Sequence, residues 1–505
     1  MMKYRAKASV SIYVVLMLVL IVTLLFSVLE AARVRAVGGA TYKKALQETE
    51  SVYAAYHLEL NKQYGLFFLE GDGQKSKSVP VMDSIIYESE ENEDYDFLGS
   101  RYSSVVLDAY LLATDYEGEV FRTEAANCAK MTLTKDAIEK VTDSLTETQN
   151  DTQLEQKKED ALELLEQIED ASQKPVPIDA EKKARMGEEE AAKTEPTKEQ
   201  KELVKKYGNP LKQLKKWGSD VGYSMIIEDV SKISNQTIEN KNLVSHRTLA
   251  TGKKKSTLKV AKSHKQTNAA KDILYIAYLN HYFQSYMGCE EERPLCYELE
   301  YILNGKDSDR KNLNATLTKL FLLREGCNYA TILKDRKKCE LAYALASAIL
   351  APTGLQGMAT LLQQGILLAW AYGESILDVR ALLAGKKISL MKTVDEWTLN
   401  LDDLGKITDV SFQAKENKNG ISYQNYLWAL LYLQKDKVQT YRTMDLVELN
   451  VAKTTGNGSF AMDRMILSSK MTYCYEAKGL FLSLLWTTGK EPGSHLVEQK
   501  VEYSY

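Results

Sequence analysis

Two acidic side chains lie one helical turn apart in the apolar segment WAYGESILDVRALLAGKK. Glu374 and Asp378 are four positions apart, so a helix would carry both carboxyl groups on one face. Such a pair could bind a metal ion or transfer protons. The same acids could instead form salt bridges with Arg380, Arg324 or nearby lysines, and we favour this structural interpretation.

The chain has six cysteines, and two of them flank a charged turn. Cys289 and Cys296 enclose the sequence EEERPL between two helical segments. Cysteines seven residues apart across a turn can reach disulfide distance, and a location outside the cytoplasm would permit the bond. Two buried free thiols are the alternative, and the sequence alone does not decide between them. The others are Cys128, Cys327, Cys339 and Cys474.

The sequence offers little else for catalysis. Its five histidines are scattered, at His57, His246, His264, His281 and His495. It contains no GxxxxGK(S/T), GxGxxG, HExxH, CxxC or GxSxG motif. Catalytic groups must converge on rigid elements, and no such set is recognisable here. We therefore predict a protein that is not an enzyme, without catalytic, metal-binding or cofactor-binding residues.

Length and composition predict a large globular chain. The 505 residues are 44% hydrophobic, which is enough for a sizeable core. Charged residues make up 27% and nearly cancel, leaving a formal net charge of −4. That balance argues against nucleic acid as a partner of the chain as a whole.

An N-terminal apolar helix is the element predicted to hold the rest of the chain at a membrane. Residues 8–29 carry no charge and would span roughly 33 Å as a helix, the thickness of a bilayer core. A cleaved signal peptide is the alternative, but its apolar region is normally shorter. Lys3, Arg5 and Lys7 precede this segment, so we expect residues 1–7 to be a cytoplasmic tail and the remainder to lie outside the cytoplasm.

The helix is predicted to continue beyond the lipid as a stalk over residues 30–63. Apolar and aromatic side chains recur there at helical spacing, which places them on one face: Tyr42, Leu46, Tyr53, Tyr56 and Leu60. Gly38-Gly39 is either a hinge or a tolerated weak point. Residues 64–133 then form the first part of an α+β ectodomain, with strands over 64–69 and 104–114.

The middle of the chain is predicted to be an insertion followed by helices. Residues 134–271 are charged and partly disordered by composition. Within them, residues 198–271 hold 17 Lys or Arg against six acids. Such a segment could meet anionic cell-wall polymers or lipid headgroups, although a solvated linker is the interpretation we favour. Residues 272–455 are helical, and the apolar part over 341–372 favours a buried helical hairpin over a second membrane crossing.

The C-terminal region, residues 456–505, reads as strands. Alternating or β-branched residues occupy 465–486 and 495–505. Isolated strands cannot satisfy their backbone groups, so we expect them to pair with the strands at 64–69 and 104–114. The prediction is one α+β ectodomain, with a small sheet closed by both chain ends and the helices of 272–455 as the covering layer.

Several segments together resemble a known family. They are ASVSIYVVLMLVLIVTLLFSVLEAARV, YAAYHLELNKQYGLFFLE, DAYLLATDYEGEVFRTEA, YELEYILNGKDSDRKNL, LFLLREGCNYATIL, AWAYGESILDVRALLAGKKISLMK, and ISYQNYLWALLYLQ followed by MDLVELN. The resemblance is to uncharacterised membrane-anchored proteins of Gram-positive bacteria encoded with tight-adherence (Tad-type) pilus machinery. In layout these proteins are related to the pilin-like TadE and TadG class.

The resemblance implies a non-enzymatic, membrane-anchored component or accessory of a Tad-like pilus or secretion apparatus, with other pilin-like or assembly proteins as partners. The expected prepilin cleavage signal, Gly before the cut and Glu at the fifth position after it, is missing around Lys7-Ala8-Ser9, which implies an unprocessed protein. The alternatives are a stand-alone surface adhesin or ligand-binding ectodomain, and a wall-modifying hydrolase.

Overall fold

The described chain combines α-helices with one small antiparallel sheet, in agreement with the predicted α+β class. The structure is a computed structural model that describes residues 3–71, 95–133, 195–217, 223–227, 229–265, 269–289, 292–434, 437–454, 456, 458–480, 488–489 and 491–505. Part of the predicted insertion, 134–194, lies outside these residues, as does 481–486 of the predicted C-terminal strand.

The chain forms two compact units, where the sequence predicted a single ectodomain. The first unit contains the described parts of Met1–Cys128, Lys241–Lys271 and Thr443–Tyr505. The second contains those of Ala129–Asn240 and Asp272–Arg442. Each unit is therefore built from stretches that are separated in the sequence. The prediction instead divided the chain into regions that follow one another in sequence order.

The first unit begins with a single long helix, α1 (Lys3–Ala54). Within the described chain, α1 alone is long and apolar enough to cross a membrane. Its most apolar stretch has a mean hydropathy of 3.0, and none of that stretch is buried. The helix runs through Gly38 and Gly39 without a break, so these glycines form no hinge. It ends before the predicted stalk does. His57 caps a separate helix, α2 (Leu58–Tyr64), by accepting from the Leu60 amide at 3.1 Å.

The sheet joins strands from both ends of the chain, as the sequence predicted. Its members are β1 (Leu69–Glu70), β2 (Ser100–Leu112), β3 (Met465–Lys478) and β4 (Ser494–Ser504). β3 is central and antiparallel to all three, with β2 on one edge and both β4 and β1 on the other. β1 is shorter than the predicted strand over 64–69, because Tyr64 still belongs to α2 and Gly65 ends that helix with φ +66°.

One face of the sheet packs against the C-terminal half of α1. Met471, Tyr473 and Tyr475 alternate along β3 toward this face and share a core with Ala45 and Tyr53. The covering layer of this face is therefore α1, whereas the sequence assigned that role to 272–455. Small side chains such as Ala45 let the helix approach the sheet closely. Tyr42, which the sequence placed on the apolar face of the helix, is exposed instead.

β4 runs beside α1 in the same direction. Gln499 Nε2 donates to Gly38 O at 3.2 Å and to Thr41 Oγ1 at 3.0 Å. Further along both elements, Tyr505 Oη donates to Tyr53 O at 2.5 Å. The C-terminal strand is thus tied to the helix at two levels as well as to β3.

The segment 241–265 belongs to the folded first unit, which corrects the prediction of a loose insertion for this part of 134–271. Arg247 donates to Glu448 at 2.6 and 2.7 Å and to Asp463 at 2.8 Å. The Lys253 carbonyl accepts from the Tyr110 amide of β2 at 3.0 Å. Composition predicted a linker because the acids that pair with Arg247 lie far away in the sequence. Taken by itself, the segment therefore looks like a run of unpaired basic residues. The unit also contains parts of α3 (Glu119–Thr132) and α13 (Lys437–Ala452).

The second unit is helical. Its helices are α4 (Lys198–Tyr207), α5 (Pro210–Trp217), α6 (Tyr223–Ile226), most of α7 (Ala269–Tyr282), α8 (Glu298–Asn304), α9 (Asp309–Ile332), α10 (Arg336–Leu350), α11 (Ala359–Leu383) and α12 (Tyr423–Leu433). α11 is buried over most of its length and packs on α9, α10 and α5. The predicted buried hairpin is therefore present as α10 and α11. Asp335 caps α10, accepting from the Lys337 and Lys338 amides.

Candidate functional site

The two acids singled out by their spacing lie at the centre of the second unit. Glu374 and Asp378 are fully buried on consecutive turns of α11. The neighbouring helix α9 presents Arg324 to them, and the segment after α11 presents Lys392. All four ionisable side chains are inside the unit, so the site is a buried charge cluster of two acids and two bases.

Arg324 and Asp378 form one half of the cluster. Arg324 donates to Asp378 Oδ2 from Nε at 3.0 Å and from Nη2 at 2.8 Å. Asn328, one turn along α9, donates to the same oxygen at 2.8 Å. The other guanidinium nitrogen, Nη1, donates to the carbonyls of Ser389 and Leu390 at 2.8 and 2.7 Å, and to the Tyr426 hydroxyl at 2.9 Å. Every guanidinium nitrogen thus has an acceptor, as a buried charge requires.

Lys392 and Glu374 form the other half. The Lys392 ammonium contacts the Glu374 carboxylate directly and lies 2.5 Å from Asp378 Oδ1, so it bridges the two acids. Glu374 also accepts from the backbone amides of Thr398 at 3.1 Å and Leu399 at 2.7 Å. The cluster therefore pins the irregular segment after α11 to the helix itself.

The two acids have opposite pKa shifts. Burial raises the pKa of the Glu374 carboxyl and the charge on Asp378 raises it further, against the attraction of Lys392. Burial also disfavours the Asp378 carboxylate, but the charges of Lys392 and Arg324 outweigh it and hold the pKa of Asp378 below its ordinary value. Asp378 is the firmly ionised member because it faces two cations.

This geometry ties elements together and leaves neither carboxyl group exposed to solvent. Two positive and two negative charges balance, their hydrogen bonds are made within the unit, and none of the four side chains reaches solvent. A general acid or base must contact the atom whose proton it moves. The contacts therefore support the structural interpretation of the spacing, in which Glu374 and Asp378 form salt bridges.

Part of the cluster is predictable from the sequence. Arg324 was among the predicted partners, whereas Arg380 turns to backbone carbonyls, including those of Ile407 and Met225 at 2.5 and 2.7 Å. Lys392 was covered only as one of the nearby lysines, and Asn328 was missed. The one available signal for Asn328 was its position one turn after Arg324 on the same helix.

A second group of buried acids holds the loop between α7 and α8. Cys289 and Cys296 form a disulfide in this loop, with Cα atoms 5.0 Å apart. The Asp309 carboxylate accepts from the amides of Cys296 and Tyr297, each at 3.0 Å. Glu298 accepts from Arg293 at 2.5 Å. The loop is thus fixed by covalent, ionic and hydrogen bonds together.

Glu300 is a further buried acid of this group. Its Oε1 accepts from the Tyr286 amide at 3.0 Å and from the Tyr423 hydroxyl at 2.7 Å. Burial raises the pKa of Glu300 to about 7, against these two donors. Tyr423 belongs to α12, so this carboxyl joins the loop to a distant helix.

The four histidines whose side chains are described do not gather into a site. His57 caps α2, His246 lies in the 241–265 segment, His281 lies in the last turn of α7 and His495 belongs to β4. The side chain of His264 lies outside the described residues. Across the part of the chain that is described, no group of three or more His, Cys, Asp or Glu side chains could hold a metal ion.

Together, the fold and the cluster define an α+β protein that carries one helix of membrane-spanning length and a helical unit locked around buried charges. The chain belongs to DUF5702, a family of unknown function, whose model matches residues 199–477, more than half of the sequence. The matched range contains the whole charge cluster and begins after α1 and β2. No curated protein and no solved structure matches the chain.

Proposed function

We propose that this protein is a non-enzymatic, membrane-anchored component or accessory of a Tad-like pilus or secretion apparatus. One observation carries the proposal, namely the division of α1 into two halves. Residues 10–29 are uncharged and mostly exposed, whereas the following turns bury Val37, Ala45 and Val52 at regular intervals. Ala45 and Val52 share a core with the strands of the sheet. A helix that leaves the lipid and continues as the spine of an antiparallel sheet is the layout of pilin-like proteins.

The continuity of α1 supports an anchor over a cleaved signal peptide. Glu30 is buried immediately after the apolar stretch, and Arg33 pairs with it at 3.0 Å. The lipid-facing half and the sheet-packed half are thus one rigid element without a flexible cleavage site between them. The basic residues Lys3, Arg5 and Lys7 favour a cytoplasmic N-terminus, which would place both units outside the cytoplasm.

The charge cluster supports a non-enzymatic role. A wall-modifying hydrolase needs carboxyl groups that reach a glycosidic or peptide bond. Glu374 and Asp378 are buried and engaged with Lys392 and Arg324, so they are unsuited to that task.

Anionic cell-wall polymers remain proposed partners. α4 and α5 expose several lysines in succession, among them Lys201, Lys205, Lys206 and Lys216. Exposed cations on two consecutive helices produce a positive potential that attracts polyanions and weakens with added salt.

A ligand-binding or adhesive ectodomain is the second candidate, and an aromatic patch favours it. Beyond the end of α1, Phe67 has 46% of its surface exposed. Its ring centroid lies 5.0 Å from that of Tyr56 and 6.0 Å from that of Tyr505. Exposed aromatic rings in contact with one another are a common feature of binding surfaces.

The test is site-specific crosslinking in native membranes. A benzophenone side chain at Leu20 or Leu24, both on the exposed apolar half of α1, should form adducts with pilin-like or pilus-assembly proteins. The same probe at Leu433, an exposed position in α12, is the control. Deleting the gene should also reduce surface pili. If Leu20 and Leu24 yield lipid adducts alone and pili are unchanged, the adhesin alternative replaces the proposal.

Topology is tested separately. Protease added to intact protoplasts should degrade both units and leave a membrane-protected fragment that contains residues 8–29 of α1. Protection of the C-terminus would contradict the proposed orientation.

A further inference from the structure

The apolar half of α1 ends close to a turn of the sheet unit. Leu29 is the last apolar residue of the exposed stretch, and Arg33 follows one helical turn later. Arg33 donates to Leu98 O from Nε at 3.0 Å and from Nη2 at 2.7 Å. The turn that contains Leu98 is therefore held against the first turn of α1 beyond its apolar half.

Glycine at position 99 allows this close contact. Gly99 has φ +71°, and a Cβ atom there would lie only 2.7 Å from Arg33 Nη2. Any other residue would both strain the backbone and displace the guanidinium. The attachment of the turn to α1 is thus built into the sequence at two positions, Arg33 and Gly99.

Two large apolar side chains project from this level of the unit. Phe97, next to Leu98, is fully exposed at 103% of its reference surface, and Leu480 is 61% exposed. Leu480 lies at the same end of the sheet, because the Lys478 amide donates to Gly99 O at 2.9 Å. Exposing large apolar side chains to water is unfavourable, so two of them at one end of the sheet favour a partner that covers them.

Distance along α1 identifies the partner. Arg33 is four residues beyond Leu29, which corresponds to about 6 Å of helix. The headgroup layer on each side of a bilayer is roughly 5–8 Å thick. If α1 spans the bilayer to Leu29, the turn that carries Phe97 therefore lies within the headgroup layer.

An aromatic side chain in the turn suits the same environment. Tyr95 lies in the turn, and its ring is 4.0 Å from Lys478 Nζ and 4.7 Å from the Arg101 guanidinium. Both cations are paired with acids, Arg101 with Glu476 at 2.8 Å and Lys478 with Glu491 at 3.3 Å. The feature that suits the headgroup layer is therefore the Tyr95 ring, because tyrosine is enriched where proteins meet that layer.

We propose that Phe97 and Leu480 form a second membrane contact, in which both side chains enter the headgroup layer of the bilayer that α1 crosses. This contact rests on the proposed anchoring by α1. A single helix leaves the attached unit free to tilt, whereas a second contact beside the helix fixes the angle at which the sheet stands on the membrane.

The experiment uses the full chain reconstituted in liposomes of phosphatidylglycerol and phosphatidylcholine. A benzophenone analogue of phenylalanine replaces Phe97 in one variant and Phe67 in a matched control. Phe67 is also an exposed aromatic residue, but it lies beside Tyr56 beyond Ala54, about 38 Å of helix from Leu29. Irradiation should give lipid adducts at position 97 in several times the yield found at position 67.

Extraction with alkaline carbonate, carried out in parallel, separates the two proposals. If the chain resists extraction and position 97 yields no more lipid adduct than position 67, the second contact is wrong and the anchor stands. If carbonate releases the wild-type chain, the anchor is wrong and the second contact falls with it. Protein adducts in place of lipid adducts at position 97 would also overturn the lipid assignment.

Discussion

The guanidinium of Arg324 and the carboxylate of Asp378 lie 2.8 Å apart with neither group exposed to solvent. We expect Asp378→Ala to destabilise the second unit by about 3–5 kcal/mol, because the change leaves two buried cations with too few acceptors. Denaturant unfolding of the full chain, followed by tryptophan fluorescence, measures the loss. The matched control is Glu340→Ala, which breaks the 2.7 Å Arg336–Glu340 pair, whose side chains are 91% and 63% exposed. A comparable loss of stability in the two variants would mean that the buried pair matters no more to stability than the exposed pair.

Glu300 should make stability depend on pH. Its pKa is raised to about 7 in the folded state, so folding binds a proton between its ordinary pKa and 7. The contribution to stability is therefore full at low pH and declines as the pH rises through 7. Glu300→Gln keeps an acceptor for Tyr423 and should remove this decline, giving a gain over wild type of roughly 3 kcal/mol at pH 8 that disappears near pH 4.

Urea unfolding of both proteins at a series of pH values measures that difference. Glu340→Gln, at an exposed site on α10, should show no such difference from wild type. An equal gain for Glu300→Gln at pH 4 and pH 8 would mean that titration of Glu300 is not its cause.

The contact between α1 and the sheet should tolerate little extra volume. Ala45 is fully buried in the core with Tyr473 and Val501. Ala45→Leu should cost about 1–3 kcal/mol, since the added atoms force the helix and sheet apart. Ala54→Leu, at an exposed position on the same helix, should cost little. Limited proteolysis of the full chain would report the difference, and equal protease resistance of the two variants would argue that the interface is not tightly packed.

Arg247 should be required for the order of the 241–265 segment. Arg247→Met removes its bonds to Glu448 and Asp463 and should cost about 1–3 kcal/mol. Hydrogen exchange should rise at the Tyr110 amide, which donates to the Lys253 carbonyl. Lys262→Met, at an exposed position in the same segment, is the control. Unchanged exchange in the Arg247 variant would support the loose insertion that composition first indicated.

Removal of β4 should unfold the sheet. β4 pairs with β3 from Ser468↔Ser504 to Lys478↔Ser494. A chain that stops after Ser494 should therefore lose exchange protection along β3, because the strand amides and the aromatic core are opened together. Deletion of Tyr505 alone, which removes one hydrogen bond to Tyr53, should leave β3 protected. Retained protection in the longer truncation would show that β2 and α1 suffice to hold β3.

The sequence by itself determined the elements whose signals are local. The apolar run of α1, the capping role of Asp335 and the alternation along β4 each depend on neighbours a few residues away, so periodicity and residue type predicted them. The pairing of strands from both chain ends followed from the need of isolated strands for partners. Spacing likewise placed Glu374 and Asp378 on one helix face.

The tertiary structure alone decided which distant groups meet. Asp378 takes its cation from Arg324, 54 positions away, and Glu374 takes its own from Lys392 in an irregular segment. The order of the segment around Arg247 likewise rests on Glu448, 201 positions away. A buried charge is stable only with a specific partner at hydrogen-bond distance, and that distance is set by how helices and loops pack. The sequence shows which charged residues are present, but only the packing of the chain determines which of them form pairs.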